Sequence, residues 1–121
     1  MTKSVMTVDD SRTMRELVAY TLREAGFAVS EAEDGRRALA ALQAAPVDVI
    51  ITDLNMPNMD GVALIRELRA RPQFRSVPIL MLTTELDAAK KAEGKSAGAT
   101  GWLVKPFDPK KLVEVVLRVA G

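Results

Sequence analysis

Cysteine and histidine are both missing from this 121-residue sequence. Without cysteine the chain cannot form disulfide bonds or use thiolate chemistry, a composition that fits a reducing cytoplasm. Without histidine it cannot contain a Ser-His catalytic triad, a histidine-ligated metal or a phosphohistidine of its own. No apolar run approaches the roughly 20 residues of a membrane helix, and the first residues lead into no signal-peptide core. We therefore expect a cytoplasmic protein that does not insert into a membrane.

An excess of charge is also missing, because 17 lysines and arginines stand against 16 aspartates and glutamates, a net charge of +1. Nothing in this balance requires a nucleic acid or a lipid surface as partner. The apolar fraction of 48% and the charged fraction of 27% are those of an ordinary soluble domain. The length suffices for one domain with its own hydrophobic core, which we assign to residues 1–121.

The apolar pattern changes five times from the short run of a strand to the spacing of a helix. The predicted strands are 5–8, 27–32, 47–53, 78–82 and 102–104. A segment with helical periodicity follows each strand, and Ser11 and Asp108 stand where N-caps belong. Strands that alternate with helices in this way form a parallel sheet covered on both faces. The sequence therefore predicts an α/β doubly wound domain with five strands and five helices.

Two of the helices carry more specific predictions. The inner face of the first helix is predicted to consist of Met14, Leu17, Val18, Thr21, Leu22 and Ala25. The fourth helix, about Leu86 to Ala97, has few large apolar residues and contains Gly94. An interior glycine costs about 1 kcal/mol relative to alanine. We therefore expect the fourth helix to be weak and mobile.

Charged or hydroxyl side chains follow four of the five strands. They are Asp9 and Asp10 after the first strand, Asp53 after the third, Thr83 after the fourth and Lys105 after the fifth. Because the carboxyl ends of parallel strands share one edge of a sheet, where ligands bind, these side chains should converge. Three clustered carboxylates need a cation, and oxygen ligands without histidine or cysteine indicate Mg²⁺. Lys105 and Thr83 are suited to phosphoryl oxygens, whereas Asp60 is interpreted as a turn residue before Gly61.

These residues lie in motifs that resemble those of a known family. The motifs are Val8-Asp9-Asp10-Ser11, Ala32-Glu33-Asp34-Gly35, Thr52 to Gly61, Thr83-Thr84-Glu85, and Gly98-Ala99 through Lys105-Pro106-Phe107. Along its whole length the sequence resembles the receiver domain of two-component response regulators, and most of all the single-domain chemotaxis regulators of the CheY type. The resemblance implies a flavodoxin-like sheet of strand order 2-1-3-4-5, and a receiver domain with no output domain.

The resemblance also implies roles for the acidic residues. Asp53 would be the phosphoryl acceptor. Asp10, Asp53 and the backbone carbonyl of Asn55 would bind Mg²⁺ directly, and Asp9 would contribute through a water molecule.

Further roles follow from the same resemblance. Lys105 would hold a phosphoryl oxygen, and the peptide bond Lys105–Pro106 would be cis. Thr83 and Trp102 would form a switch pair, in which the hydroxyl turns to the phosphoryl group and the ring follows it inward. Asn55 and Glu85 would tune the rate of dephosphorylation.

Two residues depart from the pattern of this family. The switch aromatic is usually Tyr or Phe, so the bulkier Trp102 makes a full inward swing harder. Thr84 stands where the family often has Ala or Gly, and it should narrow access to Asp53 and slow phosphoryl turnover.

The implied function is a signalling switch rather than an enzyme, because the chain would catalyse only its own phosphorylation and dephosphorylation. The phosphodonor would be a histidine kinase of the CheA type. The downstream target would be a protein, such as a flagellar motor switch or a phosphatase, that contacts the fourth helix, fifth strand and fifth helix. We expect a monomer that binds neither nucleic acid nor membrane.

Two other classes of protein stay open as alternatives. A Mg²⁺-dependent aspartyl-phosphate phosphatase would want a second acid two residues after its nucleophile, where this chain has Asn55. A binding module with an inactive site, or a flavin-binding domain of similar fold, is the other. A flavin phosphate would need a Ser/Thr/Gly-rich loop after the first strand, where this chain has Asp9-Asp10.

Overall fold

Within the part of the chain that the structure describes, five strands and five α-helices alternate, as the sequence predicts. The structure is a computed structural model that describes residues 2–84 and 88–121. The strands are β1 (Ser4–Val8), β2 (Ala28–Ala32), β3 (Val49–Asp53), β4 (Ile79–Thr83) and β5 (Gly101–Val104). The helices are α1 (Arg12–Glu24), α2 (Gly35–Ala44), α3 (Gly61–Arg69), α4 (Ala88–Ala97) and α5 (Pro109–Ala120). Within the described residues, no helix is both long and apolar enough to cross a bilayer.

All strand pairs are parallel, and the strand order β2-β1-β3-β4-β5 confirms the flavodoxin-like prediction. Strands β3 and β4 are buried along their whole length, as β-branched and leucine-rich runs in the middle of a covered sheet should be. Two hydrophobic clusters cover the sheet, one on each face. One cluster packs against α2 and α3, and the other packs against α1 and α5. The alternation of side chains along each strand therefore decides which helix a strand residue meets.

Helices α1, α2, α3 and α5 begin where short polar side chains cap them. Ser11, Asp34, Asp60 and Asp108 each accept a hydrogen bond from a backbone N–H in the first turn of the helix that follows. The caps at Ser11 and Asp108 confirm the sequence prediction. Asp60 does more than form a turn, because its carboxylate caps α3 at 2.9 Å from the amide nitrogen of Ala63. The cap fixes the direction in which α3 leaves the loop after β3.

The inner face of α1 differs from the prediction at two residues, Leu17 and Ala25, and Ala25 is the exposed C-cap of the helix. Val18 and Leu22 are buried as expected, but Leu17 is 51% exposed, and Ala19 takes the buried position instead. The buried arc of α1 is narrow, and residue 17 lies at its solvent edge. The predictions for Leu17 and Ala25 were therefore wrong.

Helix α4 confirms one part of its prediction and revises another. Gly94 is the only buried residue among those described in α4, so apolar anchors are indeed few. However, a Cβ atom on Gly94 would lie 2.0 Å from the sulfur of Met81 in β4. Glycine is therefore present because α4 packs directly on a buried side chain. The start of the predicted helix, at Leu86, lies outside the described residues.

Candidate acidic site at the carboxyl edge of the sheet

Three carboxylates meet at the carboxyl edge of the sheet, as predicted. Asp53 is the last residue of β3, and Asp9 and Asp10 follow β1. One carboxylate oxygen from each of the three residues lies within 4.8 Å of the others. Asp9 and Asp53 are buried, whereas Asp10 is exposed. The group is therefore open to solvent on the side of Asp10 and closed by the sheet on the other.

Asp9 is fixed by hydrogen bonds from three directions. Its amide N–H donates to the carbonyl of Ala32, and its Oδ1 accepts from the amide of Ser11 at 2.9 Å. Its carbonyl accepts from Nη1 of Arg15 at 2.8 Å. Its buried Oδ2 has no hydrogen-bond partner among the described residues. Burial, and secondarily the charge of Asp53, raises the pKa of Asp9 above its usual range, while the Ser11 amide and Lys105 oppose the rise.

Lys105 is the cation that the structure places among these acids. Its Nζ lies 3.2 Å from Oδ1 of Asp53 and forms an ion pair at 3.4 Å with Oδ2 of Asp9, the oxygen that accepts no hydrogen bond within the described residues. The lysine is positioned by the edge of the sheet, because its amide donates to the carbonyl of Thr83 at 2.7 Å. The peptide bond Lys105–Pro106 is cis, which confirms that expectation. Lys105 therefore bridges the two buried carboxylates.

The donor set fits a divalent cation with hard ligands. Two buried carboxylates and one exposed carboxylate supply oxygen only, and one lysine cannot neutralise three acids. A buried carboxylate oxygen without a hydrogen-bond donor is costly unless a cation or water satisfies it. Oxygen ligands that face solvent on one side suit Mg²⁺, which keeps several of its waters. The three aspartates could therefore hold a metal ion at this edge.

The loop after β3 folds back over Asp53, and Gly61 makes this possible. A Cβ atom on Gly61 would lie 2.2 Å from the backbone oxygen of Asp53. The Gly61 amide donates to the carbonyl of Leu54 at 3.0 Å, which closes the loop. Asn58, at a positive φ of 67°, donates from its side chain to Asp34 at 3.1 Å. Sequence reasoning missed the role of Gly61, although a glycine that ends a loop beside a candidate site was the available signal.

The structure places Thr83 and Trp102 on the same face of the sheet. In the register of β4 and β5, Trp102 stands opposite Met81, and Thr83 stands opposite Val104. Side chains two residues apart on a strand share a face, so Trp102 and Thr83 are diagonal neighbours on the face that carries Met81. Thr83 is 2% exposed and Trp102 is 40% exposed. The ring therefore lies outward in this structure.

For the remaining site residues predicted from the sequence, the structure gives at most a position and an exposure. Asn55 is exposed, two residues after Asp53. Thr84 is half-buried directly after β4. Glu85 lies outside the described residues. The roles of these three residues stay predictions.

Comparison with known proteins identifies relatives of this chain among signalling proteins. The family model described as "Response regulator receiver domain" matches residues 5–117. Chemotaxis protein CheY1 of Helicobacter pylori is 43% identical over 119 residues, which cover 97% of this chain and 96% of that protein. Chemotaxis protein CheY of Pseudomonas aeruginosa is 38% identical over 116 residues, which cover 95% of this chain and 94% of that protein.

Solved structures agree with these sequence matches. Chemotaxis response regulator CheY4 of Vibrio cholerae is 50% identical, has a TM-score of 0.92, and the match covers 98% of this chain and 99% of that one. The receiver domain of a sensor histidine kinase from Pseudomonas aeruginosa PAO1 is 28% identical with a TM-score of 0.93, and the match covers 100% of this chain and 99% of that one. That domain was solved with a magnesium ion coordinated in its active-site cleft.

Proposed function

The chain belongs to the response regulator receiver domain family, and from this premise we propose that it is a phosphorylation-controlled signalling switch of the CheY type. One observation carries the proposal: the carboxylates of Asp9, Asp10 and Asp53 and the ammonium group of Lys105 meet at the carboxyl edge of the sheet. A carboxylate nucleophile, a cation site and a lysine are the parts that phosphoryl transfer to an aspartate requires.

Asp53 is the proposed phosphoryl acceptor. A carboxylate oxygen of Asp53 attacks phosphorus while the bond from phosphorus to the leaving nitrogen of the kinase phosphohistidine breaks, and that nitrogen keeps the electron pair. Oδ1 of Asp53 accepts from the Leu54 amide at 2.8 Å, and this hydrogen bond holds the carboxylate in place for attack. Lys105 lies 3.2 Å from the same oxygen, and in this proposal its ammonium group neutralises charge that develops on the phosphoryl group.

Asp10, Asp53 and the Asn55 carbonyl are the proposed direct ligands of Mg²⁺, and Asp9 acts through water. A bound Mg²⁺ would supply charge neutralisation at the phosphoryl oxygens. The fit rests on the all-oxygen donor set and on Oδ2 of Asp9, which is buried and, within the described residues, accepts no hydrogen bond beside its ion pair with Lys105. The magnesium ion coordinated in the related kinase receiver domain supports the same cation for this chain.

The proposed readout runs through Thr83 and Trp102. A phosphoryl group on Asp53 offers oxygens to the Thr83 hydroxyl, and a turn of this side chain changes the space beside the Trp102 ring. The ring lies outward at the surface between α4 and α5, where it also lines a groove with Phe107 and Lys111. A change in the ring position would therefore alter the surface formed by α4, β5 and α5.

The proposed partners are proteins at both ends of the signal. A histidine kinase would supply the phosphoryl group, and a downstream protein would bind the changed surface. The named chemotaxis relatives make a chemotaxis pathway the best-supported setting. Asn55 and Glu85 are proposed to set the lifetime of the phosphorylated form.

Incubation with acetyl phosphate and Mg²⁺, followed by intact mass measurement, tests the proposal. We expect a single phosphoryl adduct that decays slowly, that needs Mg²⁺, and that is lost in Asp53→Asn. Asp60→Asn is the matched control, because it changes a nearby acid while asparagine still caps α3. Rapid hydrolysis of acetyl phosphate without an adduct would favour a phosphatase. Absence of any reaction, or an adduct retained in Asp53→Asn, would contradict the proposed function.

A further inference from the structure

We propose that Lys91 and Lys95 of α4 are positioning residues that hold the ring of Trp102 outward and so set the threshold of the switch. We call these two residues the lysine pair. The switching part of this inference rests on the proposed function, whereas the hold on the ring does not.

The contact is visible in the structure as two cations near one ring. Nζ of Lys91 lies 5.1 Å from the centroid of the Trp102 ring, and Nζ of Lys95 lies 4.8 Å from it. Both distances are within the range of about 6 Å in which a cation is attracted by the electrons of an aromatic face, and tryptophan is the strongest such partner. The outward ring is therefore held by attraction to α4.

The lysine pair also depends on the ring. Two like charges at positions i and i+4 of a helix repel each other. In residues 2–84 and 88–121, no acidic side chain forms an ion pair with either lysine, whereas Lys90 pairs with Asp60 at 3.7 Å. The electron-rich ring face is thus the favourable neighbour that the structure gives both ammonium groups. Ring and lysine pair stabilise each other in the outward arrangement.

Few other contacts described for α4 are buried, so the contact between the lysine pair and the ring can affect where the ring lies. Among the described residues, only Gly94 of α4 is buried, and it lies directly on Met81. At the far end, Nε of Arg69 donates to the carbonyl of Gly98 at 3.0 Å. Lys91 and Lys95 lie on either side of Gly94 in the sequence, and the lysine pair connects α4 to the exposed Trp102 ring of β5. An inward movement of the ring towards Thr83 would break both cation contacts.

The size of the effect follows from the strength of such contacts. Two cation–aromatic contacts at a partly exposed site change the ratio of outward to inward ring by about 5- to 30-fold. A ligand that favours the inward state binds more weakly by at most the same factor, because it must first overcome the outward preference. Removal of the lysine pair should therefore make the switch easier to trigger.

The test compares the double variant Lys91→Gln/Lys95→Gln with the parent. Glutamine has nearly the same helix propensity as lysine, so α4 should stay folded. The control Lys3→Gln/Lys110→Gln removes the same charge away from the ring, and Lys91→Arg/Lys95→Arg keeps both cations. Beryllium fluoride with Mg²⁺ is titrated into each protein, and the emission of Trp102, the only tryptophan, reports the ring.

We expect the midpoint of the titration to fall by about 5- to 30-fold in the glutamine variant and to stay near the parent value in the control and the arginine variant. An unchanged or higher midpoint in the glutamine variant would overturn the proposal.

Acrylamide quenching without beryllium fluoride supplies the second measurement. If the lysine pair only covers the ring, its removal makes the ring more accessible to acrylamide, and quenching rises. If the lysine pair holds the ring outward, its removal allows the ring to move inward, and quenching falls. If beryllium fluoride changes the emission of no variant, including the parent, the proposed readout through Trp102 fails, whereas phosphorylation of Asp53 is still judged by intact mass. Quenching alone then decides whether the lysine pair holds the ring. A fall in the glutamine variant then supports the lysine pair, and a rise or no change refutes it.

Discussion

Replacing Asp10 by asparagine should stabilise the protein in the absence of metal. The carboxylate oxygens of Asp9, Asp10 and Asp53 lie within 4.8 Å of one another, a distance at which two charges in water repel by about 0.9 kcal/mol. Asp9 and Asp10 are neighbours in the unfolded chain as well, so their mutual repulsion changes little on folding. The repulsion from Asp53 is present only in the folded state. We therefore expect a gain of roughly 1 kcal/mol, or about 3–5 °C in melting temperature for a domain of this size.

The assay is thermal unfolding of Asp10→Asn and of the parent in EDTA at low salt. Glu114→Gln is the matched control, because it removes one negative charge from an exposed position on α5. With Mg²⁺ the parent should gain more stability than Asp10→Asn, because a ligand of the metal is lost in the variant. A melting temperature in EDTA equal to or below that of the parent would refute the clustered-acid reasoning.

Three further predictions follow from other contacts. The backbone N–H that Asp34 caps is the main cause that holds the pKa of Asp34 below its usual range, so the stability that this carboxylate contributes is complete above about pH 4 and is lost on acidification below that. Asp34→Ala should therefore lower the free energy of unfolding by about 1 kcal/mol at pH 7 and by progressively less in acid. Urea unfolding measures both values, and an equal loss at pH 7 and in acid would contradict the prediction. Gly94→Ala should destabilise the folded protein by about 1 kcal/mol despite the better helix propensity of alanine, because the new Cβ atom would collide with Met81, which is fully buried and has little room to move. A higher free energy of unfolding in this variant would contradict the prediction. Thr83→Ala should still accept a phosphoryl group on Asp53 by intact mass but lose the change in Trp102 emission, and a normal emission change would remove Thr83 from the switch.

The fold could be predicted from the sequence because local and global signals agree. The β-branched run before Asp53 is long enough only for a buried strand, and the caps at Ser11 and Asp108 mark helix starts with their own side chains. Residues placed at strand ends are brought together by topology alone, so Asp9, Asp53 and Lys105 could be grouped before any distance was known.

The features that could not be predicted from the sequence depend on how closely helices and strands pack against one another. Leu17 fits the helical stripe, but how far α1 turns towards the sheet depends on its neighbours. Gly94 reads as a weak point in a helix, and only the position of Met81 shows that it is a packing requirement. Likewise, Lys91 and Lys95 are ordinary surface lysines in the sequence, and their contact with the ring exists only in three dimensions.

The central claim is that phosphorylation of Asp53 moves Trp102, and one sample can test both halves of it. Emission spectra and intact mass are recorded together during reaction with acetyl phosphate and Mg²⁺. We predict that the emission of Trp102 changes in intensity or wavelength in proportion to the phosphorylated fraction, and that Asp53→Asn shows neither change. Full phosphorylation with an unchanged spectrum would show that Trp102 takes no part in the switch and would contradict the account.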